Sequence, residues 1–306
     1  MNVNRDYEVR VRAAFHRWCR QGSYTVPGSL EKVAAEEEPE LETGIDRLEG
    51  MLQWIFRVRD FADLRQHAKK RHNPSSFRKV YRDFLFAKNF LFMDRPLIIC
   101  EGKTDNIYLD AAMKRLAAEF PKLAQWEGEE FKRLVRLFTY THKTQEVMHL
   151  GGGFGDLVQV VRDYRRLWAR LAKRAVSHPV IMMVDNDDGG KEVFKAVRDM
   201  GGPEIALADP TLLFYAFHNL YVIKTPHIVA RAKTCIEDFF DAETLASPLG
   251  QKTFSPKLED ETDRFFGKRI FAEVLVRSRW KDISFDGFRP MLAAIEQAIA
   301  KQHYRR

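Results

Sequence analysis

The feature that most limits what this chain can fold into is a short apolar run that stops on carboxylates, and it occurs twice. "PLIICEGKTD" (96–105) and "VIMMVDNDDGG" (180–190) each hold an apolar stretch too brief for a buried helix but suited to a strand covered on both faces. Each is followed by glycine and then by helical spacing, from Asn106 to Phe120 in the first case and beyond Gly190 in the second. "EVMHLGGGFGD" (146–156) reads as a third unit: a short strand, a glycine turn, and a helix to about Ala172 with Asp156 as its N-cap. "NLYVIKTP" (219–226) supplies a fourth strand. Strand, loop and helix in succession predict an α/β fold, a parallel sheet of about four strands with helices on both faces. In such sheets ligands gather at the carboxyl ends of the strands, where Glu101, the glycine loop 151–155, Asp185 and Asp187 all fall.

Asp185 and Asp187 lie two apart beyond an extended segment, so their carboxylates point to one side and Asn186 to the other. With Glu101 from a neighbouring strand, three anionic groups converge. Near a low-dielectric core such a cluster is costly unless a cation neutralises it, and oxygen ligands select a hard ion, Mg²⁺ or Mn²⁺. The plainer alternative has the aspartates forming Asx turns or capping the following helix. "DDGGK" lacks the GxxxxGK[ST] spacing of a phosphate-binding loop, and "GGGFGD" does not fit GxGxxG. Its glycines read as a turn allowing close backbone approach, with phosphate contact through Gly152 and Gly153 as the alternative.

Around this core the chain is helical and basic. Tyr7, Val11, Ala14, Phe15 and Trp18 share one helical face, an acidic run (31–42) follows, and helical spacing resumes at "IDRLEGMLQWIFRVRDF". A break at "NPSS" offers Ser75 or Ser76 as the next cap. A formal charge of +7 over 306 residues favours polyanionic partners. The cations cluster at 71–82, 161–174 (with Arg165 and Arg166) and 277–281, interleaved with aromatic residues; a solvated helix face is the competing reading. Three scattered cysteines, Cys19, Cys100 and Cys235, form no CxxC, which argues against disulfides and a zinc knuckle. Neither a signal peptide nor an apolar span is visible, so a cytoplasmic protein is expected, with no membrane partner.

"LIICEGKTDNIYL", "HLGGGFGDL" and "IMMVDNDDGG" together resemble the TOPRIM fold of bacterial primases, type IA and II topoisomerases, and OLD-type and ribosomal-RNA-maturation nucleases. The resemblance covers about 150 residues and implies a four-stranded, Rossmann-like parallel sheet with Mg²⁺ held on Glu101, Asp185 and Asp187. Asp105 and Glu237 of "CIEDFF" match further acidic positions and are candidate metal ligands. Lys268 in "GKRIFAEVL" resembles the lysine of nuclease-type members, while Lys103 is placed to contact phosphate. Within the family, "EGKTDNIYL" is most similar to TOPRIM segments fused behind retron reverse transcriptases, and "NVNRDYEVRVRAAFHRWCRQGSY" resembles the thumb of those enzymes. No YxDD is present, so this chain alone does not reverse-transcribe. The domains expected are a thumb-like segment (1–59), a basic helical linker (60–95), a TOPRIM domain (96–245) and a C-terminal helical extension (246–306). The expected activity is Mg²⁺-dependent hydrolysis of RNA or DNA, as the effector of a retron-type antiphage defence system. A retron reverse transcriptase with its RNA–DNA product is then a partner; the alternative is a non-catalytic nucleic-acid-binding scaffold of that complex.

Overall fold

Parallel pairing of the two carboxylate-terminated runs organises the sheet. In the computed structural model, which describes residues 5–21, 45–46, 48–53, 55, 76–228, 231, 233–258 and 261–303, strand β1 (Leu97–Cys100) lies beside β5 (Val180–Val184), Leu97 opposite Val180 and Cys100 opposite Met183. Every residue of both strands is buried, as their unbroken apolar character requires. The sheet has five strands in the order β4-β1-β5-β7-β6, with β4 at Arg136–Leu137, β6 at Leu213–Phe217 and β7 at Leu220–Lys224. β4, β1, β5 and β7 run parallel, and β6 is an antiparallel edge. The fold is therefore mixed α/β, with a mostly parallel central sheet flanked by helices.

Two expectations about the strands need correction. "EVMHL" is not a strand: Glu146 to Met148 end helix α4 (His142–Met148), and the strand that pairs with β1 on the side away from β5 is the two-residue β4, ten positions earlier. Apolar spacing over four residues does not separate helix from strand, and a two-residue strand leaves no periodicity to read. The fifth strand, β6, joins β7 through the two-residue turn His218–Asn219, with His218 at φ 56°. Asn219 secures that turn, taking the Tyr164 hydroxyl at 2.8 Å and donating to the His178 carbonyl at 2.9 Å.

The chain divides into two compact units, Met1–Phe92 with Lys143–His149 and Arg166–Val176, and Met93–His142 with Leu150–Arg165 and Ser177–Arg306. In the first, α1 (Arg5–Gln21) buries Val11, Ala14, Phe15 and Trp18, the face its spacing predicts. Phe15 meets Phe84 of α2 (Ser76–Phe86) edge-on, with ring centroids 5.8 Å apart. The acidic run 31–42, the Ser75 and Ser76 side chains and residues 71–75 of the basic cluster lie outside the described residues, and within the cluster's described part Arg78 donates to the Glu146 carbonyl at 2.8 Å.

The second unit holds the sheet together with residues 246–303. Helix α3 (Lys103–Arg115) follows β1, the hairpin β2 (Ala124–Glu127) and β3 (Glu130–Arg133) comes next, and α5 (Phe154–Leu171) and α6 (Asp188–Asp199) follow the glycine loop and β5. Beyond the short α7 (Ala242–Ala246) and the strands β8 (Thr253–Phe254) and β9 (Phe265–Phe266), the helical run α8 spans Lys268–Arg279. Its middle, Phe271–Val276, is π-helical. The last helix, α9 (Arg289–His303), shares one apolar cluster with α3 and α8, in which Phe240 packs on Tyr108 (5.1 Å), Phe271 (5.2 Å) and Phe288 (4.9 Å). Among the described residues no helix is long and apolar enough to cross a membrane.

The turn from β5 into α6 is closed by Gly190, where a Cβ would stand 2.0 Å from the Asp185 carbonyl oxygen. Gly190→Ala is expected to cost about 3 kcal/mol of stability or more in chemical denaturation, because backbone has to move. Gly155→Ala, where nothing lies within 4 Å, is the control and should shift stability by less than ~0.5 kcal/mol.

Candidate functional site

Backbone geometry at the carboxyl end of β1 sets Glu101 in place. Tyr140 donates its hydroxyl to the Cys100 carbonyl, and the Gly153 amide donates to the Glu101 carbonyl at 2.9 Å. The glycine loop can approach this closely because Gly152 and Gly153 adopt φ of 117° and 96°, a region that side chains disfavour. Asp156, inside the first turn of α5 rather than at its N-cap, accepts the Gly151 and Gly152 amides at 2.7 and 3.0 Å. The three loop amides are thus engaged within the protein, and the glycines act as the close-approach turn that their sequence suggests.

Glu101, Asp105 and Asp185 line one cavity of about 690 Å³, along with Lys103, Thr104, Tyr140, the loop glycines 151–153 and Lys268. Asp105 sits in the first turn of α3 and accepts the Gly102 amide at 2.7 Å, the backward half of a capping box. Asp185 accepts the Ile236 amide at 3.0 Å, which ties the end of β5 to the turn Ile236–Phe239. Glu237 in that turn is buried, and Lys268 meets it with Nζ 3.1 Å from Oε1 and 3.3 Å from Oε2. Asp187 does not line the cavity: it is the N-cap of α6, accepting the Gly190 amide at 2.9 Å. Asn186 is fully buried and turns away to the Leu207 carbonyl, as the alternation predicts.

The charges of the site are strained. Burial, then Asp187 and Asp105, push the Glu101 carboxyl up to about 7 against the pull of Lys268 and the Phe154 amide. Burial and Glu237 raise Asp105 to about 6, opposed by the Gly102 amide and Lys268. Burial, then Asp105, Glu237 and Glu101, raise Asp185 well above the carboxylate range. Burial would lower the Lys268 ammonium, but Glu237 outweighs it and holds the group above its ordinary value. Glu101 Oε2 is buried with no hydrogen-bond donor among the described residues, whereas Glu237 Oε1 faces the Lys268 ammonium. Oxygen donors short of a positive charge are what a hard dication satisfies, so the donor chemistry fits Mg²⁺ or Mn²⁺. No three His, Cys, Asp or Glu side chains among the described residues converge closely enough to enclose an ion as they stand.

Of the expected nucleic-acid contacts, Lys103 lines the cavity, but Arg165 is engaged elsewhere. Its guanidinium donates to the Met200 carbonyl at 2.5 Å and lies 5.8 Å from the Phe217 ring, which fastens α5 to the ends of α6 and β6. Arg166 belongs to the other compact unit. In the same unit as Arg166, Arg170 in the last turn of α5 pairs with Asp83 at 2.5 Å, and Arg174, three residues past the helix, covers Phe92 at 3.8 Å. Much of the cluster 161–174 therefore works inside the fold. Sequence reasoning missed Tyr140, Arg269, Glu273 and Arg277, all on the cavity wall. Arg277 had a signal in the basic run 277–281; the Tyr140 hydroxyl had none. No protein-family model matches the sequence, and no solved structure matches the chain.

Two outcomes follow from these electrostatics. Lys268→Met leaves Glu237 buried without its partner and should cost about 3–5 kcal/mol, while Lys268→Met with Glu237→Leu should recover most of it in a denaturation cycle. Unfolded, Glu101 and Asp105 lose their protons near 4.5 and 3.8, but folded they hold them to about 7 and 6. The folded chain binds more protons in between, so these groups make stability fall as pH rises from about 4 to 7 and level off above. Glu101→Gln should flatten that slope in EDTA-containing buffer, as read by unfolding at several pH values.

Proposed function

We propose that this chain is a Mg²⁺- or Mn²⁺-dependent nuclease of TOPRIM type that hydrolyses RNA or DNA phosphodiester bonds. The observation that carries this reading is the cavity at the carboxyl ends of the two central parallel strands. There the half-buried Glu101, Asp105 and Asp185 share one wall while the buried Glu237 engages Lys268. Glu101 and Asp185 would hold the cation, with Asp105 and Glu237 behind them. A bound dication supplies the positive charge that polarises a phosphodiester and acidifies a water.

The chain's own residues do the rest. Tyr140 and Gly153 fix the backbone on either side of the Glu101 Cα, and the Ile236 amide fixes Asp185. Lys268 reaches the cavity from α8 and steadies negative charge there, while Lys103, Arg269 and Arg277 present cations for the phosphates of a bound strand. Asp187, by capping α6, holds the β5–α6 turn that carries Asp185. The same reading makes the protein the toxic effector of a retron-type antiphage defence system, with a retron reverse transcriptase and its RNA–DNA product as partners. Its support is the sequence resemblance of 96–245 and of the thumb-like N-terminal segment.

The test is incubation of the full chain with single-stranded and duplex RNA and DNA in Mg²⁺, Mn²⁺ or EDTA. Cleavage is expected with either cation and not with EDTA. Asp185→Asn and Glu101→Gln should each lower it by at least ~100-fold while the apo protein keeps or gains stability, since each removes a repelling charge. No cleavage of any substrate with either cation would overturn the reading.

A further inference from the structure

Outside the acidic cavity, the second unit carries an aromatic surface. Trp126 in β2 donates its indole N–H to the Lys114 carbonyl at the end of α3, at 3.0 Å. Trp280, the residue that closes α8, stacks on Trp126 with centroids 5.8 Å apart and planes within 17°. Phe131 leans against Trp126 at 5.1 Å, and Lys281 Nζ stands 5.6 Å from the Trp280 ring. Trp126 leaves 41% of its surface open, much for a side chain that usually buries its rings.

The helices that frame this stack also frame the cavity. α3 begins with Lys103 and Asp105 on the cavity wall and ends at Lys114 beneath Trp126, a helical rise of ~16 Å. α8 begins at Lys268, whose carbonyl accepts the Tyr108 hydroxyl at 3.4 Å, and ends at Trp280. Between those ends Arg269, Glu273 and Arg277 of α8 line the cavity; Arg269 pairs with Glu273 at 3.7 Å, which leaves Arg277 as the cation that leads towards the indoles. Arg277, Arg279 and Lys281 form no ion pair among the described residues. On the hairpin side Lys114 and Arg133 share Asp110 as a partner, and Lys132 pairs with Glu127. Cations without carboxylate partners therefore lie on the α8 side of the stack.

We propose that Trp126 and Trp280 form a platform on which the bases of single-stranded nucleic acid stack, with the strand's phosphates passing Arg279 and Arg277 on the way to the cavity. Every base offers a π-face, so such a platform is tolerant of sequence, and it rejects a duplex whose bases are already stacked on each other. The proposal rests on the nuclease reading for the fate of the strand at the cavity, and not for its binding.

Binding is measured in EDTA, without turnover, by titrating the full chain with fluorescein-labelled oligo-dT, oligo-rU and a duplex of equal length. Both single strands should bind more tightly than the duplex, and the two arms rank DNA against RNA. Trp126→Ala and Trp280→Ala should each weaken single-strand binding roughly tenfold to a hundredfold, Trp→Phe less, and Arg277→Gln should make the salt dependence shallower. Trp→Phe keeps the fold testable should an alanine variant lose it. Preference for the duplex, or unchanged single-strand affinity in both the phenylalanine variants and Arg277→Gln, would overturn the platform. Stacking without hydrolysis in any cation would leave the platform standing and remove the nuclease; hydrolysis with unshifted binding would do the reverse.

Discussion

Mutual repulsion among carboxylates withdrawn from water is the constraint on which the site's architecture depends. Glu101, Asp105, Asp185 and Glu237 are held together by the ends of two strands, the first turn of one helix and a short 3₁₀ turn, and each of the first three leans on a backbone amide. The partners are mostly amides: Gly102 on Asp105, Ile236 on Asp185 and Phe154 facing Glu101. An amide stabilises negative charge without adding a formal charge of its own, so the cluster is organised and still short of cations. Lys268 relieves part of the deficit, and its ion pair is directed at Glu237, the most deeply buried carboxylate of the set.

The C-terminal segment supports this site as well as extending the chain. Lys268 opens α8, and the rings that follow it bind the helix to Tyr108 of α3 and to Phe240, next to the acidic turn. Positions that confront one another in the cavity are therefore fixed by aromatic packing beneath it. Displacing the Phe240 ring would be felt at once by the turn carrying Glu237 and by the helix carrying Lys268.

Legibility in the sequence followed the physics of each element. β1 and β5 were readable because strands buried on both faces need unbroken apolar runs, and the residues that end them stood out by charge. β7 was readable for the same reason. β4 was not, since two residues of an edge strand need only pair with β1, and the more apolar "EVMHL" competed with it. β6 carried a signal in its two-residue turn that apolar periodicity alone did not weigh. Glu101 and Asp185, marked by the strands they end, line one cavity with Asp105, which the family resemblance pointed to, while Asp187 caps α6 through one carboxylate oxygen. Arg165 shows the limit of reading charge: a guanidinium in a basic run looks like a phosphate ligand until a carbonyl at a helix end is found within its reach.

The π-helical turn at Phe271–Val276 has a consequence for how this molecule could vary. A π turn amounts to one residue inserted into an α-helix, and it lies between Lys268 at the cavity and Trp280 at the indole stack. The wider turn takes up that extra residue, so losing one residue there would return the helix to regular pitch and leave what lies beyond it facing much as it does now. Arg277 would keep to the cavity wall and Trp280 to Trp126, whereas the same loss from a helix of regular pitch throughout would rotate everything beyond it by about 100° about the axis. The π turn is thus the place where α8 tolerates a change of length without losing the phase between its two ends.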